Sequence, residues 1–176
     1  MLASLICILV SLPFMTQTHS PRVPDVEAQR AAMKKLSFLV GRWSGEARVL
    51  RAGGTVELAQ TEEAQYKLDG LVLMIEGVGR NKSDGKVELQ ALGLISYDDG
   101  SGAYHMRAFN DGRWLETDVK PDEDGKGLSW GFALGDIKTH SVLRINEKGQ
   151  WTEVAELTRG SQPARRLMEL TVSPQK

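Results

Sequence analysis

Two neighbouring stretches carry the residue types best suited to chemistry. In "YHMRAF", alternation sets His105, Arg107 and Phe109 on one side of a strand and Tyr104, Met106 and Ala108 on the other; in "RWLETD" it groups Trp114, Glu116 and Asp118. If both polar faces point into one interior, His105, Arg107 and Glu116 meet across a hairpin. An imidazole beside a carboxylate and a guanidinium is a device for proton transfer or anion binding. If Tyr104, Met106, Leu115 and Val119 face inward instead, the charged residues are solvated cross-strand pairs of small energetic worth. The spacing leaves both readings open.

A second group of candidates is aromatic. "LSWGFAL" places Leu128, Trp130, Phe132 and Leu134 on one face against Ser129, Gly131 and Ala133 on the other, so one face is expected to be buried, with Trp130 and Phe132 as core or cavity wall. Trp151 in "QWTEV" either joins that wall or staples the outer rim. In "LVGRWSGEA", Trp43 lies between Gly41 and Gly45 where a helical pattern gives way to a strand. Glycine permits close approach and a large ring seals, which suits the closed end of a barrel. The candidate ligand-binding set is therefore Trp43, His105, Arg107, Trp114, Glu116, Trp130 and Phe132. No residue is assigned a catalytic or metal-ligating role.

The elements that must position these residues follow from the turn signals. Asp-Gly recurs at Asp69-Gly70, Asp84-Gly85, Asp99-Gly100, Asp111-Gly112 and Asp124-Gly125, and this pair tolerates the positive φ that tight hairpins demand. Between and beyond these turns lie alternating runs that predict about ten short strands joined in sequence. A flat sheet this wide would expose its edges and curl, so the expected fold is all-β: a closed up-and-down antiparallel barrel with a short N-terminal helix from Asp25 to Lys35. A two-sheet sandwich is the alternative. A barrel of this width is not readily filled by its own side chains and commonly encloses an apolar ligand.

The composition fits one domain: 176 residues, 41% hydrophobic and 26% charged, with four tryptophans and eighteen glycines. A net charge of −1 supplies no field for nucleic acid or an anionic membrane. The single cysteine, Cys7, lies in "MLASLICILVSLPF", an apolar run too short to span a bilayer and suited to the core of a signal peptide. Residues 1–20 are expected to be that signal peptide, 21–35 a linker and short helix, and 36–176 the barrel. The mature protein is then secreted or periplasmic, without stable membrane insertion.

The segment "LSFLVGRWSGEA" resembles the opening of calycin-type barrels, the lipocalins and their relatives. Residues 30–172 more closely resemble the lipocalin-like domain-of-unknown-function family of secreted bacterial proteins, through Leu36 to Trp43, the Leu68 to Leu71 turn, Tyr97-Asp98 and "YHMRAF". That resemblance implies the barrel but no established activity. The lipocalin pattern also pairs its tryptophan with an arginine of the last strand, a role it would give to Arg165 or Arg166. Gly41, Trp43 and Gly45 are similar to the opening of nitrobindin-like haem barrels, which hold iron through a histidine near the last strands. No histidine follows His140 here, so no haem or other cofactor is expected. The favoured reading is a barrel that binds a small, largely apolar molecule. Its rivals are a barrel enzyme using His105 and Glu116 for acid/base chemistry, and an interaction scaffold with a packed interior.

Overall fold

The computed structural model describes residues 22–176; the expected signal peptide lies outside the described residues. The chain opens with helix α1 (Val26–Lys34), capped by the Asp25 carboxylate, which accepts from the Ala28 N–H at 3.0 Å. A single 3-10 turn (Ser37–Leu39) leads into the first strand. Eleven strands follow: β1 (Gly41–Arg51), β2 (Gly54–Lys67), β3 (Val72–Asn81), β4 (Val87–Asp98), β5 (Ala103–Asn110), β6 (Arg113–Pro121), β7 (Gly127–Trp130), β8 (Ala133–Leu134), β9 (Ile137–Ile145), β10 (Trp151–Arg159) and β11 (Arg165–Pro174).

All pairings are antiparallel, and β10 pairs with both β9 and β11, which closes the sheet into a ten-stranded barrel, with β8 a two-residue edge on β9. Closure removes the exposed edges that an open sheet of this width would carry. The turns at Asp69-Gly70, Asp84-Gly85, Asp111-Gly112 and Asp124-Gly125 form as expected, each with its glycine at positive φ. At Asp99-Gly100 that role moves to Gly102, and Asp99 instead accepts from the Asp25 N–H at 2.8 Å and the Gln29 side chain at 2.7 Å, fastening the helix to the barrel. Arg30 ties it a second time, donating to Asp69 at 2.6 Å.

The helix covers one end of the barrel, the floor. Met33, Leu36 and Leu39 are wholly buried there, and Trp43 joins them. The Trp43 indole N–H donates to Leu39 O at 2.9 Å, and its ring meets Trp151 edge-on at 5.8 Å. At the helix C-terminus, Ala32 O and Met33 O accept from the Lys35 and Leu36 N–H groups, and two barrel tyrosines add a second bond to each: Tyr104 donates to Ala32 O at 2.8 Å and Tyr66 to Met33 O at 2.6 Å. Gly45 pairs with Val172 beside this floor, and a Cβ there would collide with the Thr171 carbonyl, so β1 and β11 approach more closely than any side chain would permit. The expected arginine partner of Trp43 is not formed. Trp43 pairs with Pro174 at one end of β11, whereas Arg165 and Arg166 lie at the other, where Arg166 is bound to Glu169 and Glu156.

Candidate functional site

Strand alternation sorts the candidates. Tyr104 and Met106 are buried on the inner face of β5, which obliges His105 and Arg107 to face solvent. His105 Nδ1 lies 2.8 Å from Asp118 Oδ1, and Arg107 Nε donates to Glu116 at 2.7 Å, with every one of these side chains exposed. Arg107 also covers the Trp114 ring at 4.9 Å, and Trp114 is 62% exposed. The inward meeting of His105, Arg107 and Glu116 is thus corrected: they form two solvated cross-strand pairs, and His105 is partnered by Asp118 rather than Glu116. Together with Val72, Leu94 and Ser96 they border an open depression of about 500 Å3 on the outer wall. The only other histidine of the barrel, His140, is exposed as well.

The aromatic strand is corrected in part. Leu128 is buried and Trp130 packs against the core, but β7 ends at Trp130. A Cβ at Gly131 would run into the Thr139 carbonyl, and the Gly131 carbonyl accepts from the Thr117 hydroxyl at 2.5 Å. The chain leaves the β7 alignment there, so Phe132 and Leu134 emerge at 39% and 72% exposure instead of continuing the buried face.

The second hollow is the barrel interior, a half-open chamber of about 380 Å3. Its apolar wall includes Ile75, Leu89, Ile95, Met106, Trp130 and Leu143. Small residues keep it hollow: Gly77, Ala91, Gly93, Ala108 and Ala155 all line it. Of the seven candidates, Trp130 lines this chamber and Trp43 seals the floor beneath it; the remaining five do not reach it.

Sequence reasoning missed the polar groups inside. Gln60, Glu62, Ser141 and Glu153 all line the chamber, with Trp151 beside them. Gln60 and Trp151 are each 1% exposed, and the Gln60 amide donates to Glu62 at 2.7 Å. Burial pushes the Glu62 carboxyl up to about 8, helped by the nearby Glu153 and opposed by its bond from Gln60. Burial likewise pushes Glu153 up to about 7, opposed by the neighbouring Trp151. Both glutamates keep some accessible surface, and both line the chamber. A usable signal existed in the alternation: Leu58, Gln60, Glu62, Ala64 and Tyr66 share one face of β2, and Trp151, Glu153 and Ala155 share one face of β10. On these two strands the face that carries Leu58 or Trp151 takes its glutamate inside.

Among the described residues, no cluster of histidine, cysteine and acidic side chains could hold a metal ion, and no helix is long and apolar enough to cross a membrane. No family model matches the chain, and no curated protein matches it by sequence. Solved structures do match it. Rv2717c from M. tuberculosis superimposes with a TM-score of 0.61 at 14% identity, covering 82% of this chain and 98% of that one. The S-type phycobiliprotein lyase CPES from Guillardia theta gives a TM-score of 0.58 at 8% identity, covering 89% and 99%. The chain has a lipocalin-like barrel fold. At these identities the likeness concerns architecture alone.

Proposed function

We propose that this barrel binds a small, largely apolar molecule in its interior, and that it does so outside the cytoplasm as a member of the secreted lipocalin-like family its opening motif resembles. The observation that carries the reading is the chamber itself. Natural interiors are close-packed, and an apolar hollow of about 380 Å3 forfeits contacts that larger residues at positions 91, 93 and 108 would supply. A hollow maintained by alanines and glycines suits an occupant of ordinary small-molecule size. A phycobiliprotein lyase builds on the same architecture, which supports a role beyond scaffolding. A packed scaffold would have no such hollow, and an interior enzyme built on His105 would need that residue on the other face of β5.

Titration with N-phenyl-1-naphthylamine, an uncharged apolar fluorophore, tests the reading. Saturable one-to-one binding is expected, abolished in Ala108→Trp, which fills the chamber, and retained in Trp114→Ala, which alters only the outer wall. Absence of saturable binding, or equal binding by Ala108→Trp, would overturn it. Export is tested by N-terminal sequencing of protein from expressing cells: a start near Pro21 is expected, and intact Met1 would contradict it.

A further inference from the structure

The chamber is apolar along most of its wall, but one side holds an unusual set of polar groups. Gln60 and Glu62 project from β2, Trp151 and Glu153 from β10, and the two strands are separated only by β1 and β11. The register aligns Gln60, Gly45, Val172 and Trp151 in one row, and Gly45 contributes no side chain to screen one polar strand from the other. On the opposite flank, β3 presents Gly77 and Gly79 in register with Glu62 and Gln60. A Cβ at Gly77 would stand 2.6 Å from a Glu62 carboxylate oxygen, and one at Gly79 would stand 2.5 Å from Gln60 Oε1. The two glycines make the space in which these polar ends lie.

That polar set is incomplete in a specific way. Among the described residues, Gln60 Oε1 is buried without a hydrogen-bond partner, and the Trp151 indole N–H, beside Glu153, makes no well-formed bond. Glu62 receives one bond, from Gln60, and among the described residues neither Glu62 nor Glu153 has an ion-pair partner or a cation that opposes its rise. Arg51 is the one basic residue lining the chamber; it belongs to the mouth and donates to the Glu88 carbonyl at 2.7 Å. From the floor, Tyr66 and Tyr104 turn their hydroxyls away to the helix carbonyls. The remaining strands turn inward apolar or uncharged side chains such as Met106, Thr117, Ser141 and Leu170. Buried polar groups left unpaired cost free energy, and a buried carboxylate without a counter-charge costs most.

We propose that the interior ligand is a lipophilic amine, its protonated nitrogen held by Glu62 and Glu153 while its apolar body lies against Ile75, Met106, Trp130 and Leu143. The proposal rests on the reading of the chamber as a ligand site and narrows it to a chemical class. An ammonium group has three N–H donors and no acceptor, which complements the carboxylates that Glu62 and Glu153 present to the chamber from β2 and β10. Its charge supplies the counter-ion both carboxylates lack, and such charge-assisted bonds are the strong ones. A fatty acid or phosphate ester would bring a negative charge to a polar wall that offers it no cation. An alcohol would bring no charge and leave both carboxylates without a counter-ion. In the empty chamber Glu62, raised to about 8, is mostly protonated at neutral pH, so uptake of the amine cation releases a proton to solvent as a carboxylate forms beside it.

The test compares octylamine, octanol and octanoate as competitors of N-phenyl-1-naphthylamine at pH 8, in the parent protein and in Glu62→Gln/Glu153→Gln. In the parent, octylamine is expected to bind about tenfold or more tighter than octanol. The double variant should lose that preference while still binding octanol and the fluorophore, which shows that it has folded. Calorimetry in two buffers of different ionisation enthalpy should reveal net proton release when the parent binds octylamine near pH 7. Octanol or octanoate binding as tightly as octylamine, or a preference that survives the double substitution, would overturn the proposal and leave the chamber reading intact. Failure of the fluorophore and of all three octyl compounds would overturn the chamber reading and the proposal together.

Discussion

Two groups of carboxylates, one outside the barrel wall and one inside, show how position governs the same chemistry. Glu116 and Asp118 lie on the outer face, each beside a basic partner, Arg107 and His105, and all are in contact with solvent. Pairs of this kind are worth about 0 to 1 kcal/mol each, because water and salt already stabilise the separated charges. Glu62 and Glu153 lie on the inner face without a basic partner among the described residues, and burial, helped at Glu62 by the neighbouring Glu153, raises them to about 8 and about 7. The outer group is richer in histidine, arginine and carboxylate, and it is the more ordinary of the two. A paired charge on a sheet exterior needs no function to explain it, whereas an unpaired one inside a hollow barrel does.

The sharpest way to break this contrast is at the floor that keeps water from the interior. Trp43→Ala should cost about 3 to 5 kcal/mol in denaturant unfolding, since the ring is buried and its N–H is bonded to Leu39 O. A variant nearly as stable as the parent would mean that the floor does not seal. A smaller effect is expected at Gly77, whose backbone is ordinary but whose face is occupied by Glu62. Gly77→Ala should cost about 1 to 3 kcal/mol through overpacking, and the loss should largely vanish when combined with Glu62→Ala. Additive losses would mean that the carboxylate does not lie over that glycine. Smallest of all, Glu116→Gln and Asp118→Asn on the outer wall should each change stability by less than about 1 kcal/mol, and less again in high salt. A loss of about 2 kcal/mol or more from either would show that the outer pairs are not simply solvated.

The architecture was legible because turn chemistry is local. Asp-Gly pairs marked the hairpins, the runs between them supplied the strands, and edge closure left a barrel as the economical solution. Trp43 was legible for the same reason, since its flanking glycines and the preceding helix lie next to it in the chain. The facing of a strand was harder. On β5 either alternating set could have pointed inward, and the choice was made by Tyr104 reaching the helix carbonyl of Ala32, a partner 72 residues away. Phe132 was misplaced because a periodic reading runs through Gly131, where close approach to Thr139 ends the strand. Glu62 and Glu153 were passed over because each is one acidic residue among many, and only the register of β2 against β3 and of β10 against β11 brings them to one chamber.

The dependence of stability on pH tests the buried pair most directly. Each glutamate has an ordinary value of 4.5, as in the unfolded chain, but titrates near 8 for Glu62 and near 7 for Glu153 when folded. Between these values the native state holds protons that the unfolded chain has released, so the stabilisation is full below about pH 4.5 and is lost as pH rises through 7 to 8. The lowered carboxylates Asp84, Asp98, Asp99 and Asp124 titrate below this range and leave the window from pH 5 to 9 to the buried pair. Denaturant unfolding of the parent across that window should therefore show a decline of about 2 to 5 kcal/mol, whereas Glu62→Gln/Glu153→Gln should give a nearly flat profile and exceed the parent at pH 8. Parallel profiles for the two proteins would contradict the placement of two uncompensated carboxylates inside the barrel.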